Sequence, residues 1–140
     1  MNKYLALVAV AVGVGAAYLY LQPETNEVQD SAGGVALASV TLPDQLSANA
    51  QIGETLFNAK CIACHGANAS GQEGKAPPLI HKIYEPSHHG DEAFQRAVAL
   101  GVQQHHWPFG NMPAVEGLTR GDVTMIVAYI REVQRANGIN

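Results

Sequence analysis

The sequence feature that most constrains this chain is a five-residue stretch near its middle, Cys61-Ile62-Ala63-Cys64-His65. Two cysteines separated by two residues lie about one turn apart on one face of a helix, so both thiols can reach the same bound group. A histidine directly after them can aim its imidazole at a metal in that group. The stretch is the attachment signature of a covalently bound haem, in which each thiol forms a thioether and the histidine is an axial ligand of the iron.

Other uses of the two cysteines fit this pattern less well. A thiol–disulfide redox motif has no need of the histidine, and a zinc site would need a second pair of soft ligands. The chain contains only these two cysteines. A disulfide between them would be strained on one helical turn. Haem binding is therefore the favoured interpretation.

The charge balance of the chain argues against a nucleic-acid partner. The formal net charge is −4, and from Ser47 onward seven Lys/Arg side chains stand against eight Asp/Glu side chains. No basic stretch or stripe is evident, as would be expected of a surface that binds nucleic acid. The part that is expected to fold is thus nearly neutral.

The N-terminal residues predict a membrane anchor. Tyr4 to Leu21 is an uncharged, mostly apolar run of 18 residues, near the lower limit for one membrane-spanning helix. Lys3 precedes the run and acidic residues follow it, which predicts an N-terminus in the cytoplasm and an exported remainder. We therefore expect residues 1–21 to anchor the chain in the inner membrane by a single pass, with the haem domain facing the periplasm. A cleaved signal peptide is the alternative interpretation, although the apolar run continues beyond the small-residue site Val14-Gly15-Ala16.

The rest of the chain divides into a linker and a helical domain. Residues 22–46 are rich in small and acidic residues and predict a flexible linker, of which Val35 to Leu42 is apolar enough to lie against the domain. Residues 47–140 predict helices and no strands. Expected helices follow Ser47, span Asp91 to Leu100 and follow Thr119, with a short turn between residues 80 and 85; the first is expected to bury Ile52, Leu56 and Phe57.

This order of elements resembles the class I monohaem c-type cytochromes. A helix that ends in Cys-x-x-Cys-His, a proline loop, a middle helix, a methionine loop and a C-terminal helix cover Ser47 to Gly138. The resemblance implies an all-α cytochrome c fold, with about three to five helices around one covalently bound haem c. It also implies that Gly53 and Phe57 of the first helix pair with Tyr129 of the last.

The same resemblance implies the remaining haem contacts. Met112, in the sequence Gly-Asn-Met-Pro, matches the sixth ligand of the iron. The Pro77 carbonyl matches the acceptor of the His65 Nδ1 proton, a bond that orients the imidazole. Trp107 could pack on the haem edge and donate its indole N–H to a propionate. Met125, by contrast, lies in the apolar last helix, where core packing is the better interpretation.

The chain departs from the family in its histidines. Five of them lie between the two predicted iron ligands, and two adjacent pairs occur, His88-His89 and His105-His106, besides His81. Neighbouring residues on a loop point apart, which favours histidines that bond propionates or loop carbonyls or face solvent. A second metal site for copper or zinc, or an alternative axial ligand near Met112, are the other interpretations.

These features predict an electron carrier and not an enzyme, acting alone or as a subunit of a larger oxidoreductase. Its partners would be a donor and an acceptor redox protein at the outer face of the membrane. The alternative is a haem enzyme or small-ligand sensor in which Met112 dissociates and a nearby histidine serves as an acid–base group.

Overall fold

The computed structural model describes residues 34–140, and the regular secondary structure of this part of the chain is helical. The helices are α1 (Ala48–Lys60), the single-turn α2 (Ile62–His65), α3 (Asp91–Leu100) and α4 (Arg120–Ala136), with 3-10 turns at Ala67–Ala69 and Lys82–Tyr84. Between residues 34 and 140, β pairing is confined to isolated bridges. The predicted helical fold is confirmed here.

The predicted membrane anchor, residues 1–21, lies outside the described residues, as do residues 22–33 of the predicted linker. Among residues 34–140, none of the helices combines the length and the apolar character needed to cross a membrane.

Helix α1 begins where its first turn is capped. The Ser47 hydroxyl accepts a hydrogen bond from the Ala50 N–H at 3.3 Å, as expected of an N-cap serine. The buried face of α1 carries Ala50, Gly53 and Phe57. The expectation that Ile52 would share this face is wrong, since Ile52 is 53% exposed. Helix α4 packs on the side of Gly53, and Ile52, the position just before it, points about 100° away from that side.

Gly53 lets α1 and α4 approach each other closely. A Cβ atom at this position would lie 1.9 Å from the Met125 carbonyl oxygen, so only glycine fits. One turn further on, the rings of Phe57 and Tyr129 pack with centroids 5.7 Å apart at 52°. The predicted pairing of these three residues is confirmed, and it makes the α1–α4 contact the centre of the core.

Helix α4 has the start and the apolar stripe that its sequence predicts. Thr119 and Asp122 form a capping box, in which each side chain bonds the backbone N–H of the other. The stripe of α4 is buried as predicted: Val123, Ile126, Val127, Ile130 and Val133. The boundaries of α3 are also as predicted, with Gly101 ending it at a φ of +75°.

The segment before α1 lies along the domain surface. The N–H groups of Leu37 and Ala38 both bond the Ser70 carbonyl, at 3.2 and 3.0 Å. Further along, the backbone of Thr41 exchanges two hydrogen bonds with the side chain of Asn137, just after α4. Hydrogen bonds therefore hold residues 37–41 of the predicted linker against the domain, while the apolar side chains of Val35 and Leu42 at the ends of the expected segment are exposed.

Candidate functional site

The Cys-x-x-Cys-His motif lies where α1 turns into α2. The N–H of Cys61 bonds the Phe57 carbonyl at 2.7 Å, and the N–H of His65 bonds the Cys61 carbonyl at 2.9 Å. Cys61 therefore joins the two helices, as the C-cap of α1 and the N-cap of α2, and the motif follows directly after α1. Cys61 is half-buried and Cys64 is exposed, and both thiols are free. The motif thus occupies a single helical turn, as its spacing predicts.

His65 has the environment of an oriented metal ligand. The residue is only 8% exposed, and its Nδ1 lies 2.9 Å from the Pro77 carbonyl oxygen, the contact that the resemblance implies. A carbonyl can only accept, so Nδ1 carries the proton and Nε2 keeps its lone pair. Burial lowers the pKa of His65, against the opposite effect of the bond to Pro77. The ring is therefore neutral at pH 7, as ligation of iron requires.

Cys61 is not prepared for thiolate chemistry. Burial, followed by the like charge of Cys64, raises the pKa of the Cys61 thiol to about 11. Reactive and metal-binding cysteines instead have lowered pKa values. The environment of Cys61 therefore disfavours a redox dithiol and a thiolate metal site.

Met112 lies at the base of a closed loop. Its backbone exchanges two hydrogen bonds with Val102, both of 2.9 Å, just after the glycine that ends α3. Inside the loop the Gln104 N–H bonds the Asn111 side chain at 2.9 Å, and the Gln104 side chain accepts from the Gly110 N–H at 2.7 Å. The half-buried Met112 is therefore held by backbone bonds and lies on a different segment from His65 and Pro77.

Trp107, near the middle of this loop, has a buried donor to which no acceptor is bonded within residues 34–140. Its Nε1 is inaccessible to solvent and makes no hydrogen bond of good geometry there. The Tyr84 hydroxyl is its near neighbour: burial raises the pKa of Tyr84 to about 12, and the Trp107 N–H acts in the opposite direction. The Trp107 ring stacks on Phe109 at 5.9 Å and meets His81 edge-on at 5.2 Å. An unpaired buried N–H costs about 1–3 kcal/mol. A haem propionate is an acceptor of the right charge, so this residue fits a bound haem.

The two histidine pairs converge, contrary to the expectation that neighbouring histidines point apart. The rings of His88 and His106 lie 5.4 Å apart, those of His89 and His106 5.3 Å, and those of His105 and His106 4.3 Å. Loss of hydration, followed by the like charges of the three neighbours, lowers the pKa of His106. Sequence spacing could not show this cluster, because two separate loops build it.

Arg131 is a residue of this region that the sequence reading missed. It lies on the buried face of α4, only 7% exposed, and its guanidinium bonds the carbonyls of Tyr84 and His89 and the carboxylate of Asp91. The signal was an arginine within an apolar stripe, next to Ile130. A buried charge must be paired or hydrogen-bonded. The hydrogen bonds of Arg131 fix the loop that carries His88 and His89.

Comparison with known proteins agrees with this geometry. Residues 50–134, more than half of the chain, match the family model described as Cytochrome c. The curated proteins and the solved structures contain no significant match. The matched segment begins in α1, includes the Cys-x-x-Cys-His motif and the methionine loop, and ends in α4. The family implies a haem c cofactor and haem-based electron transfer, and the chain belongs to the cytochrome c family.

Proposed function

We propose that this protein is a membrane-anchored electron carrier with one covalently attached haem c, ligated by His65 and Met112. The observation that carries the proposal is the environment of His65, a buried neutral imidazole whose Nδ1 is bonded to Pro77, directly beside two free thiols. This arrangement leaves Nε2 as a donor of fixed direction.

The residues of the chain divide the work of holding the group. Cys61 and Cys64 would bind it covalently, and His65 would supply the proximal ligand. Trp107 would donate its buried N–H to a propionate. When bound, haem would supply the one-electron ferric/ferrous couple of its iron. The thioether of Met112 would be a soft ligand that favours the reduced state, and it would raise the reduction potential relative to a second imidazole.

With His65 and Met112 both holding the iron, a bound haem would have no open position for a substrate, which would favour electron transfer over catalysis. The bonds between Val102 and Met112 and those inside the loop hold the methionine in place. A haem enzyme or sensor would instead need this ligand to leave. The partners we propose are therefore a donor and an acceptor redox protein, and the protein itself is not an enzyme.

Replacing the methionine tests the ligation. Met112→Ala is expected to keep the haem attached but to lose the long-wavelength ferric absorption band of iron–methionine ligation and to lower the reduction potential. The matched control is Met125→Leu, which removes the sulfur of a half-buried methionine in α4 and should leave both readouts unchanged. An unaltered low-spin spectrum and potential in Met112→Ala would assign the sixth position to another residue.

Docking is proposed to use a small apolar surface beside the attachment motif and the methionine loop. The residues expected there are Ile62, Ala63, Pro113 and Ala114, of which Ile62 is half-buried and the other three are exposed. Because the charges of the folded part nearly balance, Coulomb steering should be weak, and the rate of electron transfer to a purified partner should change little between low and near-molar salt. A fall of about 100-fold would mean that a lysine cluster guides docking instead.

The anchor is a proposal that rests on the apolar run from Tyr4 to Leu21. Haem-bearing protein should sediment with inner membranes and face the periplasm, and only detergent or proteolysis in the linker, Gln22–Gln45, should release it. A purified chain whose intact mass begins at Ala17 would show a cleaved signal peptide instead.

A further inference from the structure

Three histidines from two loops bring their ring nitrogens together outside the predicted haem ligands. His88, His89 and His106 each offer a nitrogen, and these atoms lie within 4.8 Å of one another. The first two follow the 3-10 turn at Lys82–Tyr84, whereas His106 belongs to the loop between α3 and α4. Since the cluster joins segments 17 residues apart in the chain, it is a product of the fold and not of local sequence.

His89 is oriented in the same way as His65. Its Nδ1 lies 2.7 Å from the Ile83 carbonyl oxygen, so Nδ1 carries the proton and Nε2 keeps a lone pair. Histidine ligands of metals almost always donate their other N–H to such a partner. His81 differs, because its Nδ1 already accepts the Ile83 N–H at 3.2 Å. His89 is therefore oriented to offer the Nε2 lone pair to a metal ion, whereas the nearby His81 is not held in this way.

The backbone that presents His89 is fixed from the core. Arg131 donates from Nη2 to the His89 carbonyl at 2.5 Å and from Nη1 to the Tyr84 carbonyl at 2.6 Å. It also donates from Nε to Asp91 at 2.9 Å, and Phe94 covers the guanidinium at 5.0 Å. Sites held on a rigid support keep the geometry that a ligand needs.

The cluster is rich in imidazole and poor in carboxylate. His105 adds a fourth ring, stacked at 6.1 Å on that of His89, with its own Nδ1 bonded to the Gln103 carbonyl. The neighbouring carboxylate, Glu85, forms an ion pair with Lys82. Neutral imidazole suits zinc and copper, whereas calcium and magnesium prefer oxygen ligands.

We propose that His88, His89 and His106 bind one divalent transition-metal ion, Zn²⁺ or Cu²⁺, with water in the fourth position. Zinc–nitrogen bonds of about 2.0–2.1 Å place tetrahedral ligand atoms about 3.3 Å apart, so the three nitrogens must close by roughly 1.5 Å. His88 and His106 are exposed and can supply this movement by turning their side chains. The ion would link the loop fixed by Arg131 to the loop that carries Trp107 and Met112.

The test is a metal titration of the full-length holoprotein, purified without a histidine tag. ZnCl₂ and CuCl₂ are added separately, bound metal is measured by equilibrium dialysis, and thermal unfolding is followed in parallel. We expect one ion per chain with one or both metals, and a rise in melting temperature, because a ligand that binds only the folded state stabilises it. With Cu²⁺, electron paramagnetic resonance should show coupling to imidazole nitrogens.

The variants separate this site from other histidines. His88→Gln and His106→Gln replace exposed side chains and should leave the fold and the haem spectrum intact. Each should weaken binding by at least about 100-fold, since loss of an outer-shell partner alone costs about 10–100-fold. The matched control His81→Asn removes a histidine outside the triad and should bind as the wild type does. Absence of stoichiometric binding by the wild type, full affinity in His88→Gln and His106→Gln, or an equal loss in His81→Asn would each overturn the proposal, whatever the haem ligation proves to be.

Discussion

At the α1–α4 contact, a Cβ on Gly53 would lie 1.9 Å from the Met125 carbonyl, whereas the loop with His88 and His89 is positioned by the guanidinium of Arg131. The first region is held by apolar burial, and the missing side chain of Gly53 allows the two helices to approach closely. The second is held by hydrogen bonds from a buried charge to loop carbonyls. The two regions should therefore fail in different ways.

The two regions also have different roles: the helix contact mainly stabilises the fold, and the arginine network mainly positions potential ligands. The helix contact fixes where α1 ends, and with it where Cys61, Cys64 and His65 begin. The arginine network fixes the backbone of His89 through a hydrogen bond to its carbonyl. A substitution in one of these two regions should thus leave the contacts of the other region intact in the molecules that still fold.

The largest effect is expected from Gly53→Ala. Its Cβ would meet backbone and not a flexible side chain, so the helices must separate, and the free energy of unfolding should fall by more than about 3 kcal/mol. The matched control is Gly121→Ala in the first turn of α4, where a Cβ would meet its neighbour, the Thr119 hydroxyl, at 3.6 Å. That control should be neutral or stabilising by up to about 1 kcal/mol. Equal stabilities in denaturant titrations would contradict the account of the helix contact.

Arg131→Met should break the second region. The apolar part of the side chain is kept, while the Tyr84 and His89 carbonyls lose their charged donor, and hydrogen bonds of this kind contribute about 1.5–3 kcal/mol. We expect a loss of about 2–3 kcal/mol, together with weaker metal binding by the histidine cluster. Denaturant titration and equilibrium dialysis measure the two effects. A destabilised variant with wild-type metal affinity would show that the cluster does not need this support.

Ser47→Ala should have a smaller effect on the helix contact. Ser47 caps α1 and also bonds both carboxylate oxygens of Glu132 on α4, at 2.6 and 3.0 Å. Removal of an N-cap costs about 1 kcal/mol, and the variant should be destabilised by about 1–2 kcal/mol at pH 7.

The contribution of this link should depend on pH. Burial alone would raise the pKa of Glu132, but the bonds from the Ser47 hydroxyl and N–H lower it below the usual value of 4.5. A carboxylate with a lowered pKa in the folded state stabilises above the unfolded pKa and loses that effect as the pH falls through the folded one. The gap between wild type and Ser47→Ala should therefore narrow below about pH 4.5, as measured by thermal unfolding. A constant gap between pH 7 and pH 3 would show that the carboxylate bond contributes nothing.

The smallest effect on stability is expected from His88→Gln. The side chain is exposed, and surface substitutions usually change the free energy of unfolding by less than about 0.5 kcal/mol. Thermal unfolding without added metal measures this. If His88→Gln lowered the free energy of unfolding as much as Arg131→Met does, the histidine cluster would itself stabilise the fold.

The contrast between the helix contact and the loops fixed by Arg131 also explains which features could be predicted from the sequence. The capped, periodic helices were predictable because each signal is local: Ser47 and Thr119 cap the helices that follow them directly, and the stripe of α4 repeats within one helix. Ile52 was misassigned because periodicity does not say on which side of Gly53 the partner helix packs. The histidine cluster was not predictable, since it depends on how two loops meet. The His65–Pro77 contact was predicted through the family resemblance and not from spacing.

The central claim is a haem held covalently by Cys61 and Cys64, and it is tested most directly by the intact mass of the denatured, purified chain. The account predicts that the mass exceeds that of the polypeptide by one haem, and that the haem stays with the protein in acidified organic solvent. It also predicts that Cys61→Ala with Cys64→Ala abolishes this retention. A wild-type chain with the mass of the polypeptide alone, and a haem that is extracted into the solvent, would contradict the account.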